Sequence, residues 1–273
     1  MNYVRPAQVA GYFYPSNPDK LRKDLNLLLD VTKPKEKFER IFGIVAPHAG
    51  YVYSGKTAAH AYNLLIDKKF KRIVIISPSH SEYFPGICIF EGDAYETPLG
   101  LLKVDKEFRE KLETDDGIIF KGYEGHRREH ALEVQLPFLQ SVLKDFKIVP
   151  VVMGDQSKRN VDTIAEKLAE VSDDETLIVA SSDLSHFHSK SQADKLDSVV
   201  EKRVMEFDFE SLQYDLDNHM CEACGGGTIV ALMKAANLKN IRHAMVLSRT
   251  DSGDVTGDNK EVVGYLSAVF YGD

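Results

Sequence analysis

The chain has 273 residues, enough to bury a sizeable core without disulfides or metals, and its 42 acidic against 34 basic residues leave a net charge of −8. No basic cluster is dense enough to neutralise a run of phosphates, which argues against nucleic acid as a partner. No apolar run approaches the roughly 20 residues that cross a bilayer, and MNYVRPAQ lacks the charged-then-apolar layout of a signal peptide, so the expected setting is cytoplasmic, off the membrane.

In chain order, a Val/Ile-rich strand at 42–46 leads to a helix at 54–66 opened by the hydroxyl of Ser54, and then to a second strand at 72–77. A strand at 86–90 follows, with an antiparallel excursion through 86–104 where ETPLG reads as a turn. A helix at 129–143, a strand at 147–153, a helix at 161–171 and a strand at 176–181 continue the alternation. Helices at 192–207 and 226–236 and strands at 242–247 and 262–271 complete it. Apolar strands alternating with amphipathic helices predict an α/β fold, a helix-covered, mixed, mostly parallel central sheet. Neither a linker nor a repeat interrupts the chain, so residues 1–273 are read as one domain.

The chemistry-bearing residues fall where such sheets build their crevices, just past the carboxyl ends of strands. His48 follows the first strand in APHAGY, and His80 follows the second in SPSH. A right-handed crossover through a single helix would set those two strands side by side, about 4.8 Å apart, so that both imidazoles share one ligand. SSDLSH adds Asp183 and His186 to the same edge. In CEACGGG, Cys224 precedes the glycine-rich entry to a helix whose positive end favours the thiolate, the form that ligates a metal or attacks an electrophile. Cys221 makes a CxxC pair with Cys224, open to a redox role, but only Cys88 is left, too few for a four-cysteine zinc site. In REHALEVQLPFL, Glu129, His130 and Glu133 fall together at an expected helix start, with His130 and Glu133 three apart on one face, and either line the cleft or form a solvated turn. Tyr12, Tyr14, Tyr51 and Tyr53 lie near these motifs, with packing as their ordinary role. His60, His126, His188, His219 and His243 have no such context.

Together RPAQVAGYFYP, APHAGYVYSG, SPSH, YETPLG, REHALEVQLPF, IVPVVMG, SSDLSH and ACGGG resemble the Memo family, which is similar in fold to the class III extradiol ring-opening dioxygenases. In those enzymes a non-haem iron(II) is held by two histidines and a carboxylate. The resemblance implies that His48 and His80 fill the histidine positions, that Cys224 takes the carboxylate position, and that His186 is the acid–base histidine with Asp183 beside it, suited to bind the metal or orient an imidazole. A thiolate donor shifts preference toward copper or zinc while leaving iron(II) open. The expected function is that of a metal-dependent oxidoreductase acting on a small molecule; the alternatives are a non-catalytic cleft for a metal or peptide, and metal-free hydrolysis with Cys224 as nucleophile. The resemblance further implies radical-SAM and AMMECR1-type proteins as partners.

Overall fold

A computed structural model describes residues 3–34 and 36–272. Among them the chain begins with β1 (Val4–Arg5), α1 (Pro18–Val31), β2 (Arg40–Ala46), α2 (Tyr51–Asn63) and β3 (Arg72–Pro78). It continues through β4 (Ile87–Phe90), β5 (Ala94–Thr97), β6 (Gly100–Lys103), α3 (Lys106–Leu112), β7 (Ile119–Gly122), a 3₁₀ turn (Glu133–Gln135) and α4 (Leu136–Val142). Then come β8 (Lys147–Met153), α5 (Lys158–Val171), β9 (Thr176–Ser181), β10 (Asp183–His188), α6 (Lys190–Met205), α7 (Phe209–Asp217), α8 (Gly226–Leu238), β11 (His243–Asp251), α9 (Gly253–Thr256) and β12 (Val262–Gly272).

Nine of the described strands form one mixed sheet in the order β10-β12-β2-β9-β3-β8-β4-β7, with β11 on β12. Its centre, β2-β9-β3-β8, is parallel, and β12 and β4 join that centre antiparallel. Side chains alternate across it: Ile73, Ile75 and Val179 pack with α1, α2 and α4, while Val74, Ile76 and Ile178 pack with α3, α5, α6, α7 and α8. Burial on both faces explains why these strands are unbroken Val/Ile runs. The expected excursion is present as β4 antiparallel to β8 and as the β5–β6 hairpin, which pairs Thr97 with Gly100 and joins β1 in a small second sheet.

Three local expectations are corrected. First, β2 and β3 are not neighbours: β9 inserts between them, parallel to both. His48 and His80 therefore meet because each lies beyond its strand and leans over the end of β9. Second, α2 starts at Tyr51 rather than Ser54; Gly50 is its N-cap without a side-chain bond, and Ser54 Oγ donates to Ala49 O at 2.9 Å. Third, the helix expected over 129–143 is a turn, one 3₁₀ turn and the short α4. Proline within the first turn of α4 suits a helix start rather than an interior.

Candidate metal centre

At the carboxyl edge of β2, β9 and β3, ligand atoms of His48, His80 and Cys224 lie within 4.8 Å of one another. The network around His48 assigns its tautomer. Ser181 Oγ, at the end of β9, donates its only proton to Ala131 O (2.8 Å) and accepts from Gln135 Nε2 (2.8 Å). The contact between Ser181 Oγ and His48 Nδ1 (2.8 Å) therefore requires the proton on Nδ1. Nε2 is left as a bare lone pair, 3.2 Å from Cys224 Sγ. Gln135 is itself fixed at its other end by Tyr62 Oη, which donates to Oε1 at 2.5 Å.

His80 is held from the opposite side. Glu129 Oε2 accepts from the His80 backbone N–H at 2.6 Å, and Oε1 takes the imidazole Nδ1 at 3.0 Å. Burial opposes charge on both partners, but their attraction prevails, raising the imidazole and lowering the carboxyl. His130 closes a triangle of rings, 5.5 Å from His48 and 4.7 Å from His80, with Phe13 against its far side at 4.8 Å. Ligand atoms of His80, Glu129 and His130 also lie within 4.8 Å of one another.

Asp183, at the start of β10, turns Oδ1 to the backbone N–H groups of His48 (2.7 Å) and Ala49 (3.3 Å), so it anchors the loop that carries His48. Its Oδ2 lies 3.9 Å from His48 Nε2. Burial pushes this carboxyl up to about 7, against the opposing pull of those two N–H groups. Burial also forces His48 well below the ordinary imidazole range, and burial with the nearby Asp183 raises the Cys224 thiol far above its usual range. The thiolate expected from the helix end is thus overruled by desolvation, which outweighs the 0.3–1 kcal/mol or so typical of a helix terminus.

The remaining expected residues divide by position. His186 lies on β10, half-buried, lining a cleft of about 380 Å³ that also reaches Cys221, Glu222 and Cys224; burial lowers its imidazole. Cys221 is buried at that cleft, its thiol pushed up to about 12 by burial. Glu133 does not face the cleft. It is buried in an ion pair with Arg5 (2.7 Å) and accepts from Gln8 N, Val9 N and Tyr14 Oη, tying the N-terminal segment to the body. Tyr14 and Tyr51 are packing residues bonded to Glu133 and Val134 O, while Tyr12 is exposed. His188, given no role from sequence, bonds Glu222 at 2.9 Å. Sequence reasoning missed Ser181 and Gln135; of the two carboxylates in REHALEVQLPFL it is Glu129, beside His130, that reaches the centre, while Glu133 pairs with Arg5.

Fold and geometry together define an α/β protein with a histidine- and cysteine-lined donor cluster at the carboxyl edge of a parallel sheet core. Among the described residues no helix is long and apolar enough to cross a membrane. A family model described as "Memo-like protein" matches residues 5–269. Similar chains include a MEMO1 family protein of Methanocaldococcus jannaschii, 35% identical over 98% of this chain and 99% of that protein. Another, from Thermoplasma volcanium, is 37% identical over 97% and 98%, and one from Nitrosopumilus maritimus is 34% identical over 98% and 99%. The chain belongs to the Memo family.

Proposed function

We propose that the chain is a metal-dependent oxidoreductase acting on a small substrate, its ion held by His48, His80 and Cys224. The observation that carries this reading is the convergence of those three donors, with both imidazoles tied back through Nδ1 so that Nε2 is the free nitrogen on each. The donor chemistry fits a cation. His48 is neutral and ready to ligate, while the Cys224 thiol and the Asp183 carboxyl are pushed toward their protonated forms by burial, the penalty a positive charge relieves. The mixed nitrogen and sulfur set suits iron(II), copper or zinc, and when bound such an ion supplies Lewis acidity or electron exchange.

The chain's own residues do the rest. Ser181 and Glu129 hold the imidazoles in register, and Asp183 fixes the backbone that carries His48. His186, kept toward the neutral form by burial, is the group available to take a proton in the adjoining cleft. A cytoplasmic location and association with radical-SAM and AMMECR1-type proteins belong to the same proposal and rest on the family alone. A second reading, non-catalytic binding of a metal or peptide, is favoured by the engagement of Asp183 with backbone N–H groups, which leaves His186 without a carboxylate partner from that side.

Protein purified without oxygen and compared with His48→Ala, His80→Ala and Cys224→Ser tests the site by elemental analysis and metal titration. Stoichiometric metal in the parent, lost in all three variants, is expected; a metal-free parent that cannot be loaded sinks the reading. His186→Ala then separates the two functions. Oxygen or electron-acceptor consumption should fall by about 10²- to 10⁴-fold with metal content unchanged if His186 moves protons.

A further inference from the structure

His80 has two ring nitrogens, and an ion shared with His48 and Cys224 uses one of them. The other, Nδ1, is turned to a second set of donors that meets at Glu129. Glu129 Oε1 lies 3.0 Å from His80 Nδ1 and 3.4 Å from His130 Nδ1, and ligand atoms of the three residues fall within 4.8 Å of one another. Bonds of about 2.0–2.2 Å from one ion to imidazole nitrogen and carboxylate oxygen set neighbouring donors roughly 2.9–3.5 Å apart, which is the spacing on both sides of Oε1. The His130 contact is longer than the 2.7–3.2 Å or so of an ordinary N–H···O bond, so it is better suited to a shared ion than to a shared proton. The carboxylate is anchored: its side chain is 1% exposed, Oε2 accepts from His80 N at 2.6 Å and Oε1 from Ala131 N at 2.8 Å. Phe13 backs the His130 ring at 4.8 Å, and the His80 and His130 rings lie 4.7 Å apart. These two imidazoles keep 32% and 24% of their side-chain surface in solvent, against 2% for His48, so the second set forms the mouth of the first.

We propose that His80, Glu129 and His130 form a second cation site at this mouth, for a divalent ion that prefers nitrogen and oxygen donors, with His80 common to both sites. Without sulfur the outer set is harder than the inner one and suits iron(II), manganese, cobalt or zinc rather than copper(I). Binding exchanges the ion for a proton: His80 Nδ1 gives up the hydrogen it shares with Glu129 Oε1, that proton leaves to water, and the nitrogen lone pair and the carboxylate oxygen take the ion. With both sites filled, the His80 ring bridges them as imidazolate. Exposure and the proton to be displaced make the outer site the weaker one, filled second and emptied on dialysis, so purified protein reports the inner equivalent alone. The proposal rests on the metal-centre reading only through the shared ring; the outer donors bind without Cys224.

Anaerobic titration of the full chain with cobalt(II), followed by absorbance, separates the sites, because a thiolate ligand gives a near-ultraviolet charge-transfer band that imidazole and carboxylate do not. Expected in the parent are two equivalents, the first with that band and the second, weaker, without it. His130→Ala should keep the first and weaken the second by more than the 10- to 100-fold or so that a lost supporting bond costs. Cys224→Ser should do the reverse, and His80→Ala should impair both. Glu129→Gln removes the carboxylate charge while leaving an acceptor for His80, and keeps the test decisive if His130→Ala fails to fold. The proposal is overturned if the parent saturates at the one equivalent that carries the band, if a second equivalent also carries it, or if the second binds with full affinity in both His130→Ala and Glu129→Gln. A parent that takes one equivalent without the band, lost in His130→Ala, would end the reading of His48, His80 and Cys224 as a metal centre and uphold this one.

Discussion

Ser181 decides which nitrogen of His48 faces the cleft, and it does so with a single hydroxyl proton already committed to Ala131 O. Ser181→Ala removes the partner of His48 Nδ1 and one of the acceptors of Gln135 Nε2, which keeps Pro47 O at 3.1 Å; both side chains are buried. Urea denaturation is expected to show a loss of about 1–3 kcal/mol, and metal affinity should fall by about 10- to 100-fold, as for other lost supporting bonds. Arg5 and Glu133 make the opposite case, a buried ion pair that supplies none of the three donor atoms, its side chains 1% and 0% exposed. Glu133→Leu strands the guanidinium and is expected to cost about 3–5 kcal/mol while leaving metal stoichiometry intact in whatever folds. Asp197 on α6 supplies a pH dependence. It is buried, accepts Ser185 N–H at 3.0 Å, and burial pushes its carboxyl up to about 6. A raised folded value means the native state holds this proton more tightly than the unfolded chain, whose aspartate titrates near 3.9. That contribution is complete below about pH 4 and is lost as pH rises through about 6. Denaturation curves for Asp197→Asn across pH 4–7 should therefore lack a decline on the order of 2 kcal/mol seen in the parent. Among residues, His48, His80 and Cys224 were legible because each follows an apolar run or opens a glycine-rich turn. Ser181 and Gln135 sit inside such runs, where a polar side chain gives no sign of which face or partner it will take.

The entry to α8 is where element packing controls the candidate centre. Gly225 N donates to Ser182 Oγ, Cys224 N donates to Asp183 O at 3.2 Å, and a Cβ on Gly225 would collide with the carbonyl oxygen of Ser181. Gly225→Ala forces α8 away from β9 and carries Cys224 with it. A loss of about 1–3 kcal/mol is expected on denaturation, together with weaker metal binding, because the same displacement moves a donor; unchanged metal affinity would show that Cys224 is positioned from elsewhere. The glycine run of ACGGG marked the helix entry from sequence, although the contact that requires Gly225 is made by a strand 44 residues earlier in the chain. The stretch 129–143 was less readable. Its apolar spacing continues through HALEVQLPFL, but Glu129 captures Ala131 N at 2.8 Å and His80 N, holding the first residues in a turn that local periodicity does not encode. By contrast α1 carried an unused signal, since Asn17 caps Lys20 N at 2.9 Å and Pro18 opens the helix.

At the scale of the whole molecule the layers were legible and the strand order was not. Unbroken Val/Ile runs separated by amphipathic stretches specify a sheet covered on both faces, but nothing in β9 itself states that it lies between β2 and β3. A bound ion would couple that architecture to stability. At a hundredfold excess over its dissociation constant, an ion specific for the native state adds about 2.7 kcal/mol. Thermal melts with and without added metal should show this gain in the parent and lose it in Cys224→Ser. Since the raised thiol must give up its proton to ligate, the gain should grow from pH 6 to pH 8.

The insertion of β9 between β2 and β3 also sets a timetable. As the chain leaves the ribosome, His48 and His80 emerge long before Ser181, and until β9 arrives their strands have bare hydrogen-bonding edges and no shared platform. The donor cluster is thus among the last features a nascent chain completes. A fragment ending before residue 176 lacks β9 and β12, so it would expose both edges of β2 and one of β3 and would be expected to aggregate rather than to hold a partial centre.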